Sequence, residues 1–211
     1  PSFSVEVFAD AQGATRTVPQ PVDLVMGRDL GIADNNNYSR TLPSALSSSD
    51  QQELLRAAET GVRALGFRSS PAHVELVLTV AGPKIIEIGA RTGGYRPRMF
   101  RLASGIDLFA AQVEVALGRL PDLQEQFRHF CAVYELFATQ EGKFKEASGW
   151  EKLLSLPSLY YASVKAKPGK MVGLSRDGYR TAAVIVLANE EQEQFRRDQQ
   201  YVEEQVAIAV E

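Results

Sequence analysis

Cysteine is almost missing from the chain: Cys131 is the only one in 211 residues, which excludes an internal disulfide and a structural zinc cluster. It lies in the apolar run FCAVYELF and reads as a small buried side chain. Histidine is nearly as scarce, and His73 and His129 do not form a zinc spacing. No apolar run reaches the roughly 18 residues a membrane span needs, so no membrane partner is expected. With no signal-peptide pattern either, the expected location is cytoplasmic. Charge of one sign is not in excess, because 23 basic residues face 26 acidic ones for a net −3, which gives no electrostatic case for nucleic acid. A G-x-S-x-G elbow, a Walker-type loop and a dinucleotide fingerprint are all lacking, which argues against nucleophilic hydrolysis. What remains is an ordinary globular composition, 45% hydrophobic, long enough for one large or two small domains.

The elements alternate in a mixed α/β order. Ser2 to Ala9 and Thr15 to Met26 read as strands around a turn at Ala11, Gln12 and Gly13. Arg28 to Pro43 is polar and without periodicity, and reads as a long loop. A helix follows, with Ser49 and Gln52 as a capping box, a stripe of Leu54, Leu55, Ala58, Val62 and Leu65, and Gly66 as its stop. Asp107 to Leu117 predicts a second helix with Leu108, Phe109, Val113, Ala116 and Leu117 inward. In the last third, Phe130 to Ala138, Leu159 to Val164 and Thr181 to Ala188 are strand-like, Glu190 to Gln200 is a charged helix, and Val206 to Val210 suits a closing strand. Between them KAKPGKMVGLSRDGYR is turn-rich and basic. Pro121 and the polar run after it place a boundary near Leu120 to Gln126, giving domains 1–120 and 121–211.

The most informative stretch is HVELVLTVAGPKIIEIGARTGG, His73 to Gly94, which reads as a β-hairpin. An odd-length loop at Ala81, Gly82 and Pro83, with Val80 opposite Lys84, puts Val74, Leu76, Leu78, Val80, Ile86, Ile88 and Ala90 on a core face. The other face then carries His73, Glu75, Val77, Thr79, Ile85, Glu87, Gly89 and Arg91, with Arg91 opposite His73. A two-residue loop would shift the register by one and send the glutamates to opposite faces. Two carboxylates held together call for a cation between them, and hard divalent ions such as Mg²⁺ take oxygen ligands of this kind. The fork of Arg91 suits phosphate oxygens, so the patch reads as a metal–nucleotide site. A solvated strand face with a surface ion pair is the alternative reading of the same residues.

A glutamate, a second one twelve positions later, then residues at plus two and plus four resembles the metal-binding core of the ATP-grasp superfamily, Glu followed by Glu-x-Asn-x-Arg. The pattern falls on Glu75, Glu87, Gly89 and Arg91, with glycine where the family has asparagine. SFSVEVFADAQGATR is similar to the strand-turn-strand that follows the family's nucleotide hinge, with Ser2 where relatives commonly carry glutamate. ALGFRSSPAHVEL and ARTGGYRPRMFRLASGIDL look like the amino-acid-ligase, carnosine-synthase-like and carbamoyl-phosphate-synthase-like branch.

The resemblance implies an α/β (α+β) fold: the C-terminal subdomain of an ATP-grasp enzyme, a mostly antiparallel sheet flanked by helices, with a small β-rich subdomain after it. It implies ATP and Mg²⁺ (or Mn²⁺) as cofactors, Glu75 and Glu87 as metal ligands, and Arg91 as the catalytic contact to phosphate or acyl phosphate. Gly93 and Gly94 would be backbone donors or clearance for ligand, and Arg96, Arg98 and Arg101 either further anion contacts or a solvated basic patch. The expected activity is ATP-driven ligation of a carboxylate to an amine, both small and amino-acid-like, through an acyl phosphate. The expected partners are those substrates, a missing N-terminal half of the same enzyme that carries the phosphate-binding lysines and the adenine hinge, and a second copy in a homodimer. A C-terminal fragment of this kind is expected to be inactive alone. A non-catalytic remnant or binding module of the same fold, and a carboxylase-type subunit acting on bicarbonate, are the alternatives.

Overall fold

The structure, a computed structural model, describes residues 1–211. In chain order it has strands β1 (Ser2–Ala9), β2 (Thr15–Thr17), β3 (Val22–Met26) and β4 (Asn37–Leu42), helix α1 (Ser48–Ala64), the hairpin β5 (Ser70–Thr79) and β6 (Gly82–Gly89), and helices α2 (Arg96–Ser104) and α3 (Leu108–Ala116). There follow β7 (Phe130–Leu136), β8 (Gly142–Ser148), α4 (Trp150–Leu153), β9 (Leu159–Val164), β10 (Met171–Val172), β11 (Ala183–Asn189), α5 (Gln192–Gln205) and β12 (Ala207–Val210). They form two compact units, Pro1–Leu24 with Thr41–Arg128, and Val25–Arg40 with His129–Glu211. The expected boundary near Leu120 to Gln126 thus lies inside the first unit.

In the first unit the sheet runs β6-β5-β1-β3, antiparallel at each pairing, with β2 folded back on β1. β1 is buried along its whole length although it alternates apolar Phe3, Val5 and Val7 with polar Ser2, Ser4 and Glu6. Its register sets Phe3 beside Leu76 and Val5 beside Val74, and these residues share an apolar face with Ile85 and Ile88. α1 covers that face. A Cβ on Gly61 of the helix would lie 2.5 Å from Ile85 and 3.0 Å from Ile88, so the glycine is what lets helix and sheet approach. Leu54, Ala58 and Val62 are its buried stripe, while Leu65 is exposed. Truncating Leu54 to alanine would cost about 3 kcal/mol.

Several expectations change in the first unit. α1 starts two residues earlier than read, because Ser47, not Ser49, caps it by accepting the Asp50 amide. Gly66 does follow its end in the left-handed region. The segment from Arg96, to which the sequence reading gave no helix, is α2, whose Pro97 sits in the first turn where no amide hydrogen bond is lost. In α3, capped by Asp107, the buried residues are Leu108, Ala111 and Val115. Phe109, Val113 and Leu117, expected inward, form an exposed apolar stripe.

In the second unit β4, β7, β11 and β9 are neighbours in that order, and β10, β8 and β12 form a smaller sheet. Arg28 to Pro43 is not a featureless loop, since it contains β4. That strand was unreadable because polar Ser39 and Arg40 are buried there in place of apolar residues. Arg40 pairs with Glu135, Tyr38 stacks edge-on against Tyr134, and Asp34 accepts both the amide and the hydroxyl of Ser175. Burial holds the Tyr134 hydroxyl well above its usual pKa and pushes Tyr38 up to about 12, with the Glu203 charge adding to both. β8 and α4 are additions to the sequence reading, and Cys131 is fully buried as expected. No helix is long and apolar enough to cross a membrane.

Candidate active site

The hairpin decides which side chains meet. Its loop is the two residues Val80 and Ala81, with Thr79 opposite Gly82, so the expected pairing of Val80 with Lys84 does not form. A regular ladder from that loop would have put Glu75 and Glu87 on opposite faces. A β-bulge restores the face: Leu76 pairs with Ile85, the next pair is Glu75 with Glu87, and Ile86 is the extra residue. Ile86 and Val80, placed in the core by the sequence reading, are therefore exposed, and Ile85 joins the apolar face instead. His73 lies opposite Gly89, not Arg91.

The polar face now spans three strands. Ser4 stands beside Glu75 and Glu87, and Glu6 beside His73 and Gly89. Under this face is a buried network. One Glu6 oxygen lies 2.5 Å from His73 Nδ1 and 3.9 Å from Arg96 Nε, and the other accepts the Gly93 amide at 3.0 Å. Arg96 Nε donates to Ser4 Oγ at 2.9 Å, and His73 Nε2 reaches Glu75 at 3.4 Å. Glu6, Arg96 and His73 are 1%, 2% and 5% exposed, so the ions face one another instead of water. Burial by itself would lower the His73 pKa. Hydrogen bonds from Glu6 and Glu75 outweigh it and hold the pKa above the usual 6.5, against the opposing Arg96 charge.

The loop after β6 completes the site. Gly93 is buried, its amide is taken by Glu6, and a Cβ there would lie 2.6 Å from Arg96 and 2.7 Å from the His73 ring. Its small size thus serves the buried network rather than clearance for a ligand. Gly94 is exposed with open space around it. Between Arg91 and Gly93 the Thr92 hydroxyl is buried without a hydrogen-bond partner, a costly state. Arg91 is exposed, and its guanidinium donates only to the Thr92 carbonyl at 3.3 Å. Arg96, read as an anion contact, is buried against Ser4 and Glu6, whereas Arg101 is on the surface near Asp107.

The donor set fits Mg²⁺. Glu75 is half-buried at 27% exposure, and Glu87 is exposed without an ion pair. Like charges directly opposite on a strand pair repel, and one or two carboxylates suffice for Mg²⁺ when phosphate oxygens and water complete its shell. No group of three or more His, Cys, Asp or Glu side chains is arranged to hold a metal ion, so the protein offers no closed metal cage. Sequence reasoning missed Glu6, Ser4 and Thr92. The alternation of β1 marked Glu6 and Ser4 as one polar face, but only the register of β1 on β5 reveals what that face touches.

The whole chain superposes on an L-amino acid ligase from Bacillus licheniformis with a TM-score of 0.81 at 18% identity, covering 52% of that protein. It also superposes on phosphoribosylglycinamide synthetase from Anaerococcus prevotii with a TM-score of 0.71 at 13% identity, covering 53% of it. The chain has the ATP-grasp fold. In sequence, an alignment of 115 positions that covers 48% of this chain is 42% identical to carnosine synthase 1 of Gallus gallus. The match spans 12% of that curated relative, and the chain spans about half the length of the solved structures it matches. No family model matches it.

Proposed function

We propose that the chain carries the metal-binding part of an ATP-dependent ligase that joins a carboxylate to an amine, the phosphate-binding lysines and adenine hinge coming from sequence outside these 211 residues. The observation that carries this reading is the bulge at Ile86, which spends a ladder irregularity to keep Glu75 directly opposite Glu87. Similarity to an L-amino acid ligase and to carnosine synthase supports amino-acid-like substrates.

In this reading Glu75 and Glu87 would hold Mg²⁺, which when bound neutralises phosphate charge. Arg91 binds the oxygens of the transferring phosphoryl group and offsets the charge that develops on them. The carboxylate oxygen of one substrate takes the γ-phosphoryl group and ADP leaves. The amine then attacks the acyl carbon, the C–N bond forms as the acyl C–O bond breaks, and inorganic phosphate departs carrying the proton that the amine gives up. The Glu6 contact to the Gly93 amide holds the loop that presents Arg91.

The test is product analysis on the full-length gene product, supplied with ATP and Mg²⁺ and either paired amino acids or bicarbonate. Amide formation coupled to ADP release, lost at least about a hundredfold in Glu87→Gln with the fold unchanged by circular dichroism, is expected. Carboxylation of an acceptor would replace this reading with the bicarbonate one. Unchanged turnover in Glu87→Gln would remove the metal assignment, and nucleotide-independent binding alone would make the chain a remnant.

A further inference from the structure

The second unit carries a cleft of about 840 Å³ that the ligase reading leaves without a role. Its wall holds Lys165, Lys167, Lys170 and Arg180, its apolar part is Phe137 and Met171, and no carboxylate lines it. None of the four cations is paired. Nearby acids are already engaged: Glu135 binds Arg40 and accepts the Thr181 hydroxyl at 3.1 Å, Glu141 accepts the Tyr179 hydroxyl, and Asp177 lies 3.6 Å from Arg176. In a chain whose acids outnumber its bases, 26 to 23, four unmatched cations around one concavity are a deliberate concentration of charge.

The backbone beneath them is fixed. Gly169 donates to the Phe144 carbonyl at 2.9 Å and Phe144 to that of Lys170 at 2.8 Å, while Lys165 and Ala166 both donate to Ala182 at 2.7 and 3.0 Å. The four exposed cations thus rise from a hydrogen-bonded backbone frame, and a cleft lined by one sign focuses its field on an anion. Lysine acts on phosphate as a point charge and arginine as a fork. The volume lies within the range of small-molecule sites, and Phe137 and Met171 offer an organic group an apolar surface. A polynucleotide is disfavoured, because the Tyr179 ring is already packed on Gly173, where a Cβ would lie 2.6 Å from it, and so is not a base-stacking platform.

We propose that this cleft is a binding site for a small phosphorylated organic molecule, its phosphate held by Lys165, Lys167, Lys170 and Arg180 and its organic part by Phe137 and Met171. The test titrates the isotope-labelled 211-residue chain with phenyl phosphate and follows backbone amide shifts. Saturable shifts confined to residues 165–172 and 178–182, weakening about tenfold or more between ~50 and ~300 mM salt, are expected. The double variant Lys167→Glu with Lys170→Glu should abolish them at an unchanged thermal midpoint. Absence of saturation, or equal binding of inorganic sulfate, would overturn the proposal by reducing the cleft to a general anion patch. Tighter binding of a single-stranded oligonucleotide than of phenyl phosphate would overturn it in favour of nucleic acid. Retained shifts in the double variant would place the ligand elsewhere and defeat it equally.

Discussion

Glu6 ties together the residues beneath the candidate site. Its two oxygens are spent on His73 and on the Gly93 amide, with Arg96 close by, all at positions shut off from water. Removing one charge from such a set leaves the others uncompensated, so Glu6→Gln should cost about 3 kcal/mol in urea unfolding at neutral pH. The His73 contribution should carry a pH signature. Its folded pKa lies above the unfolded 6.5, so the stabilisation is fully present below 6.5 and is lost as pH rises through the folded value. The stability gap between the native chain and His73→Gln should therefore narrow at alkaline pH, and a gap constant from pH ~5.5 to ~9 would mean that the His73 pKa is the same in the folded and unfolded chain. Gly89 gives the opposite kind of residue prediction. Its backbone is outside the left-handed region, and a Cβ there would meet Arg91 only at 3.7 Å, ordinary contact. Gly89→Asn should fit and add an oxygen beside Glu87, tightening Mn²⁺ binding severalfold by titration without loss of stability. These residue types were legible in the sequence as a motif. The Glu6 network was not, because it depends on which β1 residue lies beside His73.

At the scale of elements, the site depends on a defect. A two-residue loop sets one register, and the extra Ile86 sets another just where Glu75 and Glu87 must meet. The sequence reading reached the shared face of the two glutamates from a wrong loop length, because a longer loop and a bulge are alike in alternation. They differ in what happens to Ile85 and Ile86, and the structure puts Ile85 against α1 and Ile86 in solvent. The difference is testable. Deleting Ile86 removes the bulge yet keeps Glu75 opposite Glu87, so Mn²⁺ binding should survive within severalfold. Inserting alanine between Ile86 and Glu87 with the bulge kept turns Glu87 toward the face of Ile88 and should abolish binding. Equal binding in the two variants would show that register does not control the site. Strong apolar periodicity made β1, α1, β9 and β11 readable. α2 was hidden by its glycine-rich entrance, and the inward face of α3 was misassigned because both of its faces are apolar.

At the scale of the whole molecule, the path of the chain matters more than its order. Residues 25–40 belong to the second unit although about ninety residues of the first separate them from His129. A boundary drawn from composition cannot find this, since nothing in a polar segment with buried Ser39 and Arg40 announces a strand. The ties that hold it are specific and poorly replaced by water. Arg40 and Glu135 form an ion pair in which the arginine side chain is 9% exposed, and Asp34 accepts two hydrogen bonds from Ser175 at 2.6 and 3.0 Å. Without the segment, Glu135 loses its Arg40 partner, Tyr134 loses its ring contact, and β7 loses its β4 neighbour. Several kcal/mol of pairing and burial are then missing from a unit whose total stability is of that order. Residues 129–211 alone should accordingly unfold without cooperativity in urea and lack near-ultraviolet dichroism. The same residues joined through a flexible linker to residues 25–40 should recover a single cooperative transition, and Arg40→Met in that joined chain should retain it, because an apolar side chain of similar volume replaces the buried cation while Glu135 still has Thr181. Cooperative folding of 129–211 by itself would show that the segment is attached to the unit without being part of its core.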